Sequence, residues 1–121
     1  MSDAVTTRQE KSLLYDFYGG LLTEKQRTCF ELHHMDDMSL AEIAADMNIS
    51  PQAVSDVLKR SLKRMQDCDD ELGLLKKFSE QQDCVKNIQM LTGAIDQISK
   101  NAPEITYLTD NIRKLLEKML T

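Results

Sequence analysis

The amino-acid sequence predicts an all-α protein, with a helix-turn-helix domain in residues 1–75 and an amphipathic helical hairpin in residues 76–121. Three observations support this fold class. Runs in which β-branched and polar residues alternate, typical of strands, are nearly absent. Two helix-start signals lie close together, at Ser39 and Ser50. The last third of the chain carries two apolar stripes at helical spacing, separated by Pro103, which a helix interior excludes.

Two helices are expected before the helix-turn-helix. The first spans about residues 7–18, carries leucine and aromatic side chains, and ends at the glycine pair 19–20. Thr23 begins the second, and Gln26 three residues later completes a capping box. An acidic loop, 36–38, then leads into the motif, so these two helices are predicted to buttress it.

The motif itself is predicted from its capping residues. Ser39 and Glu42 form a second capping box, in which each side chain accepts a hydrogen bond from an N–H group that lacks a partner in the helix. Asn48 tolerates the left-handed conformation that commonly ends a helix. A new helix starts at Ser50, because Pro51 suits the first helical position. Two short helices joined by so tight a turn must cross steeply to share a core.

The second of these helices is predicted to be the recognition helix of a DNA-binding protein. One face carries apolar side chains and the opposite face polar and basic ones, which suits insertion into a major groove. Gln52 and Ser55 are expected to contact base edges, and Asp56 a cytosine amino group or no base at all. The expected phosphate contacts are Lys59, Arg60, Lys63, Arg64 and, through the dipole of the preceding helix, Ser39.

Charge is distributed unevenly along the chain, whose formal net charge is −5. Lysine and arginine number 4 against 9 acidic residues in 1–50, 4 against 1 in 51–66, and 7 against 10 in 67–121. The overall charge argues against a nonspecific polyanion binder, whereas a positive helix on an acidic body can direct DNA to one face. The alternative is that these cations only solvate the helix and complement the negative end of its dipole.

The C-terminal segment is predicted to form a helical hairpin. Its second helix carries an apolar seam at steps of three and four residues, typical of a helix that packs along its length against another. Three partners for the seam remain open: the first helix of the hairpin, the helix-turn-helix core, or a second copy of the chain. A homodimer is attractive because it would read two DNA half-sites. The candidate dimerisation residues are Ile105, Leu108, Ile112, Leu115 and Met119.

No metal, cofactor or catalytic site is predicted. Cys29, Cys68 and Cys84 are far apart and lack C-x-x-C spacing, which disfavours a zinc site or a disulfide framework. The adjacent His33 and His34 would point about 100° apart on a helix and could not share a metal. Glycine-rich phosphate loops and nucleophile motifs are missing from the sequence, so an enzyme is not expected.

A cytoplasmic protein without membrane contact is expected. The N-terminal stretch 1–11 lacks the apolar segment of a secretory leader, and no apolar run approaches the length that spans a bilayer. The scattered leucines and the 7 methionines indicate a core, and no small-molecule effector site is visible in the sequence.

Residues 15–60 resemble the YlxM family of small bacterial helix-turn-helix proteins, and more distantly the promoter-reading fourth region of bacterial sigma factors. The resemblance extends over about residues 8–75, and the C-terminal hairpin matches only in kind. It implies a regulatory protein linked to the signal recognition particle pathway, a link that rests on neighbouring genes. The motifs that carry it are Leu22-Thr23-Glu24-Lys25-Gln26-Arg27, Asp36-Asp37, Ser39-Leu40, Glu42-Ile43-Ala44, Gln52-Ala53-Val54 and Asp56.

The chain departs from the family at one position that would face DNA. Pro51 stands where the resemblance implies an arginine, and proline can bind neither a phosphate nor a guanine. Asp56 nearby would be repelled by phosphates. Two hypotheses therefore stand: a DNA-binding regulator, and a module that binds no DNA but contacts a protein or RNA component of the targeting machinery.

Overall fold

The computed structural model describes residues 6–120 and confirms an all-α fold. Residues 1–5, part of the stretch from which no leader is predicted, lie outside the described residues, as does residue 121. The chain divides into two compact units, Met1–Leu75 and Lys76–Thr121. The α-helices of the described part are α1 (Arg8–Tyr18), α2 (Glu24–Phe30), α3 (Leu40–Met47), α4 (Pro51–Leu72), α5 (Leu74–Ile98) and α6 (Pro103–Leu120).

The first two helices begin where the sequence predicts. The Thr7 hydroxyl accepts a hydrogen bond from the backbone N–H of Glu10 and caps α1, and a 3-10 turn, Gly19–Leu21, follows that helix. The capping box of Thr23 and Gln26 is present at α2. After Phe30 the helix continues as a wider π-helical turn, Glu31–Met35, which the sequence does not predict.

Helix α4 connects the two apolar clusters of the first unit. Its N-terminal half contributes Val54 to a cluster with α2 and α3, and its C-terminal half contributes Met65 to a cluster with α1 and α2. Both side chains are fully buried. Helix α4 is therefore fixed along both halves. The two clusters comprise Cys29, Ile43, Ala44 and Val54, and Leu14, Tyr18, Leu22, Phe30 and Met65.

A polar contact secures the end of α4 to α1. The buried Tyr18 hydroxyl donates a hydrogen bond of 2.7 Å to the Asp69 carboxylate, which also accepts one from the backbone N–H of Leu75 at 3.1 Å. Burial, together with this hydrogen bond, raises the pKa of Tyr18 to about 12. Gly73, with φ 65°, ends α4 in the left-handed conformation that favours glycine.

In the second unit, α5 and α6 share a small, partly polar core. Val85 and Thr92 of α5 are buried, as are Thr109 and Leu116 of α6. The Thr109 hydroxyl donates to the Asp96 carboxylate at 2.6 Å. Asp96 also pairs with Arg113, so a charged network joins the two helices of the hairpin.

The seam on α6 lies largely in solvent. Leu108, Leu115 and Met119 expose 59%, 63% and 55% of their surface, Ile112 exposes 36%, and Ile105 is half-buried. Packing within the unit therefore covers little of the seam. Large apolar side chains of α5 are exposed as well: Ile88, Met90, Leu91, Ile95 and Ile98.

Among the described helices, none combines the length and the apolar character that crossing a membrane requires.

Candidate nucleic-acid interface

The turn between α3 and α4 has the geometry that the sequence predicts. Asn48 adopts the left-handed conformation, with φ 58° and ψ 44°, and ends α3. The backbone N–H of Ile49 donates to the carbonyl oxygen of Ala44 at 3.0 Å. The Ser50 hydroxyl accepts from the N–H of Ala53 at 3.1 Å, and Pro51 occupies the first helical position. The two helices thus meet in a three-residue turn, the helix-turn-helix arrangement.

Buried side chains hold the two helices against α2. Ile43, Val54 and Cys29 are fully buried together, and Ala44 leaves room for the helices to approach. Burial also raises the pKa of the Cys29 thiol, so this group is a packed neutral side chain. With one side of α4 committed to this core, its opposite side is left facing solvent.

The solvent-facing side of α4 collects the residues predicted to contact DNA. At about 100° per residue, Gln52, Lys59 and Lys63 fall within about 40° of one another on the helix surface, opposite Val54. Arg60 and Arg64 flank them. We call this surface the basic face of α4. The predicted contacts on α4 that are exposed are Gln52, Asp56, Lys59, Arg60, Lys63 and Arg64, and Ser55 is half-buried.

Most cations of the basic face are available to a ligand. Lys63 pairs with Asp67 at 3.3 Å, but both side chains are mostly exposed, so solvent and salt compete readily with the pair. Lys59, Arg60 and Arg64 form no ion pair with a carboxylate of the described chain. Three of the four charges can therefore meet a phosphate without first breaking an ion pair.

Ser39 lies in a different environment. Its hydroxyl accepts from the N–H of Glu42 at 3.1 Å, and its own N–H donates to the Glu42 carboxylate at 3.0 Å. These hydrogen bonds with Ser39 lower the pKa of Glu42, so the carboxylate stays charged at neutral pH. A phosphate at the start of α3 would compete with this carboxylate, and Ser39 is the weakest of the predicted contacts.

The start of α4 carries mixed chemistry. Gln52 presents an exposed amide, which can form a pair of hydrogen bonds with adenine. Asp56, one turn further on, is also exposed and places a negative charge next to it. Pro51, at the first helical position, has no side-chain donor, so it adds no polar group to this surface.

One feature beside the basic face is not predicted from the sequence. Arg8 and Lys11 of α1 and His33 of the π-helical turn lie around a cavity that Lys59 also lines. These residues are scattered over the first half of the chain, and no local pattern brings them together. Within residues 6–120, no cluster of three or more histidine, cysteine or acidic side chains is placed to hold a metal ion.

Residues 5–105 match the helix-turn-helix protein family described as YlxM / p13 like, UPF0122. Similar proteins include the UPF0122 proteins of Bacillus thuringiensis (strain Al Hakam) and Bacillus mycoides (strain KBAB4). Each is 38% identical over 110 residues, which cover 91% of this chain and 96% of the relative. The UPF0122 protein of Bacillus anthracis (strain A0248) is 37% identical over the same lengths.

Proposed function

Since the chain belongs to the YlxM / p13-like helix-turn-helix family, we propose that it is a DNA-binding regulator whose α4 enters the major groove. The observation that carries this proposal is the exposed basic face of α4, fixed on its other side by Val54 and Met65. Recognition helices of this kind read bases with their N-terminal residues. Gln52, Ser55 and Asp56 occupy those positions.

Electrostatics supports one orientation on DNA. The chain is acidic overall, with a net charge of −5, while residues 51–66 carry four cations and one acidic residue. A duplex would be repelled by most of the molecule and attracted to the basic face. Lys59, Arg60, Lys63 and Arg64 follow the base-reading positions along the helix, where they are suited to phosphates.

Salt dependence tests the proposed face. Neutralising one phosphate releases about 0.9 counterion, so four contacts per chain give a slope of about −3.6 in a plot of log affinity against log salt. Lys63→Ala should weaken binding to every duplex and reduce the slope magnitude by about 0.9. Fluorescence anisotropy of a labelled random duplex, from about 20 to 200 mM salt, measures both.

Lys86→Ala is the matched control, because it removes the same charge from an exposed helical position on α5. It should leave the slope unchanged. An unchanged slope for Lys63→Ala as well would place the contact face elsewhere.

The exposed seam of α6 supports a homodimer. On an ideal helix, Leu108, Leu115 and Met119 lie about a quarter-turn from the buried Thr109 and Leu116, a geometry that leaves them free to contact a second chain. A dimer would cover this apolar surface and present two copies of α4 to half-sites about 34 Å apart. Ile105, Leu108, Ile112, Leu115 and Met119 are the proposed dimer contacts.

Sedimentation equilibrium of the full chain tests the dimer. Leu115→Lys should shift the protein to monomer, because it places a charge within the apolar seam. Met90→Lys is the control. Met90 is 73% exposed and lies on α5, about a third of a turn from the apolar stripe of that helix, which comprises Ile88, Leu91, Ile95 and Ile98. A monomeric parent protein, or a dimer that survives Leu115→Lys, would exclude the seam as the interface.

A role in the signal recognition particle pathway is part of the proposal. In the regulator hypothesis the cytoplasmic protein controls genes of the pathway. The second candidate is a module that binds a protein or RNA component of the particle and no DNA, and the exposed apolar residues of the hairpin favour it. Competition separates the two. A selected duplex that competes far better than random DNA supports the regulator, whereas equal competition by any polyanion indicates weak charge contact only and counts against the regulator.

A further inference from the structure

The first unit contains a cavity beside the basic face of α4. It has a volume of about 300 Å³ and lies among α1, the end of α2 with its π-helical turn, and α4. Phe30, Leu58 and Leu62 supply its apolar walls. This volume lies at the lower end of the range of cavities that hold small organic ligands.

The described charged residues around the cavity are all of one sign. Arg8, Lys11 and Lys59 line it together with His33 and His34, and within residues 6–120 no carboxylate lines it. The cavity therefore concentrates positive potential over an apolar surface on an acidic protein.

The basic side chains around the cavity differ in whether they already form hydrogen bonds or ion pairs within the chain. The Arg8 guanidinium donates to the carbonyl oxygen of His34 at 2.8 Å and to the Asp37 carboxylate at 3.1 Å, so its charge is partly neutralised. Burial lowers the pKa of His34, whose Nε2 lies 2.7 Å from the Ser12 hydroxyl. Lys11 has no ion pair with a carboxylate of the described chain.

We propose that this cavity binds a small organic anion, one that combines a phosphate or carboxylate group with a compact apolar body. The anion would lie between the ammonium groups of Lys11 and Lys59, and the apolar body against Leu58 and Leu62. The rings of Tyr15 and His34 are already stacked on the Phe30 ring, at centroid distances of 4.9 and 5.1 Å. Because Phe30 is occupied in this way, we expect the apolar body of the ligand to contact mainly the aliphatic side chains of Leu58 and Leu62.

The location of Lys59 links this site to DNA, a step that rests on the proposed function. Lys59 lines the cavity and also belongs to the basic face of α4. An anion held by Lys59 removes one phosphate contact, so the ligand should weaken DNA binding and reduce the salt slope by about 0.9 for each chain. The cavity would then be an effector site of the regulator.

Phenyl phosphate is a suitable probe, with inorganic phosphate and phenol as controls that carry only the charge or only the apolar body. Titration of the ¹⁵N-labelled full chain, followed by amide chemical shifts, should show saturable changes at residues 8, 11, 33, 58 and 59. Phenyl phosphate should bind at least tenfold more tightly than either control. Equal affinity for inorganic phosphate, or no saturable change at these amides, would overturn the proposal.

Charge reversal tests the site itself. Lys11→Glu should weaken phenyl phosphate binding about three- to tenfold, as expected for replacing an attractive ion pair with a repulsive one. Lys86→Glu, with the same change of charge on α5, should leave the affinity unchanged. Equal effects of the two variants would show that net charge alone attracts the probe, and would overturn the proposed site.

The link to DNA has a separate readout. Phenyl phosphate at saturation should lower the affinity of the full chain for a random duplex, measured by anisotropy at low salt. If the chain binds phenyl phosphate but no duplex under any condition, the proposed function fails and the cavity assignment stands. If it binds both independently, the effector role fails.

Discussion

The hydrogen bond between Tyr18 and Asp69 should contribute measurably to the stability of the first unit. Tyr18 exposes 1% of its surface, and its hydroxyl donates to the Asp69 carboxylate at 2.7 Å. A hydrogen bond to a charged acceptor contributes about 1.5–3 kcal/mol. Because Asp69 is half-buried and water can replace the lost donor, Tyr18→Phe should cost the lower part of this range, about 1.5 kcal/mol.

Urea unfolding followed by circular dichroism measures this cost. For a unit of this size, a loss of about 1.5 kcal/mol lowers the urea midpoint by about 1–1.5 M and the melting temperature by about 6–12 °C. The slope of the unfolding free energy against urea should not change. Protein concentration must be held constant, because association would add its own stability.

Tyr107→Phe is the matched control. Tyr107 exposes 67% of its surface, so its substitution should change the unfolding free energy by less than about 0.5 kcal/mol. If the two variants have equal stability, the Tyr18 hydroxyl does not secure the end of α4, and the reasoning fails.

Two further substitutions and two pH titrations test contacts within the two units. Val54→Ala removes two buried methyl groups from the helix-turn-helix core and should cost about 2–3 kcal/mol in urea unfolding. Asp96→Asn weakens the hydrogen bond from Thr109 and the ion pair with Arg113, so the second unit should melt at a lower temperature in calorimetry. These hydrogen bonds lower the pKa of Asp96, so the parent unit should lose this stabilisation as the pH falls below about 4. Burial lowers the pKa of His34, so the unfolded chain binds the proton more tightly and stability should fall as the pH drops below about 6.5.

Each of these expectations has a defined failure. A loss below about 1 kcal/mol for Val54→Ala would mean that the turn does not depend on this core. Asp110→Asn is the control for Asp96, since it removes the more exposed partner of Arg113, and equal effects would contradict the network. His34→Gln should reduce the pH dependence of the unfolding free energy, and His33→Gln should preserve it. The opposite pattern would show that His34 is not the group responsible for this pH dependence.

The helix starts could be predicted from the sequence because their causes are local. Thr23, Ser39 and Ser50 each accept a hydrogen bond from an N–H three residues ahead, and this spacing is visible in the chain. The left-handed conformations of Asn48 and Gly73 likewise follow from residue type. The all-α fold and the helix-turn-helix were therefore within reach of sequence reasoning, and both are confirmed.

Features that depend on distant residues could not be predicted. The π-helical turn Glu31–Met35 has no sequence signature, yet it places His33 and His34 beside the cavity. The network of Asp96 and Arg113 requires the register of the hairpin. Periodicity identified the α6 seam but not its partner, because a stripe at helical spacing looks the same whether it is covered or, like Leu115, exposed.

The most direct test of DNA recognition by α4 is selection of duplexes from a randomised pool by the full chain, at near-physiological salt, followed by sequencing. The proposed regulator should enrich inverted half-sites whose centres are about 10 base pairs apart. Gln52→Ala should relax the preference at one position of each half-site without abolishing binding. A pool that remains random after repeated rounds, with the parent protein folded, would contradict sequence-specific DNA binding by this chain.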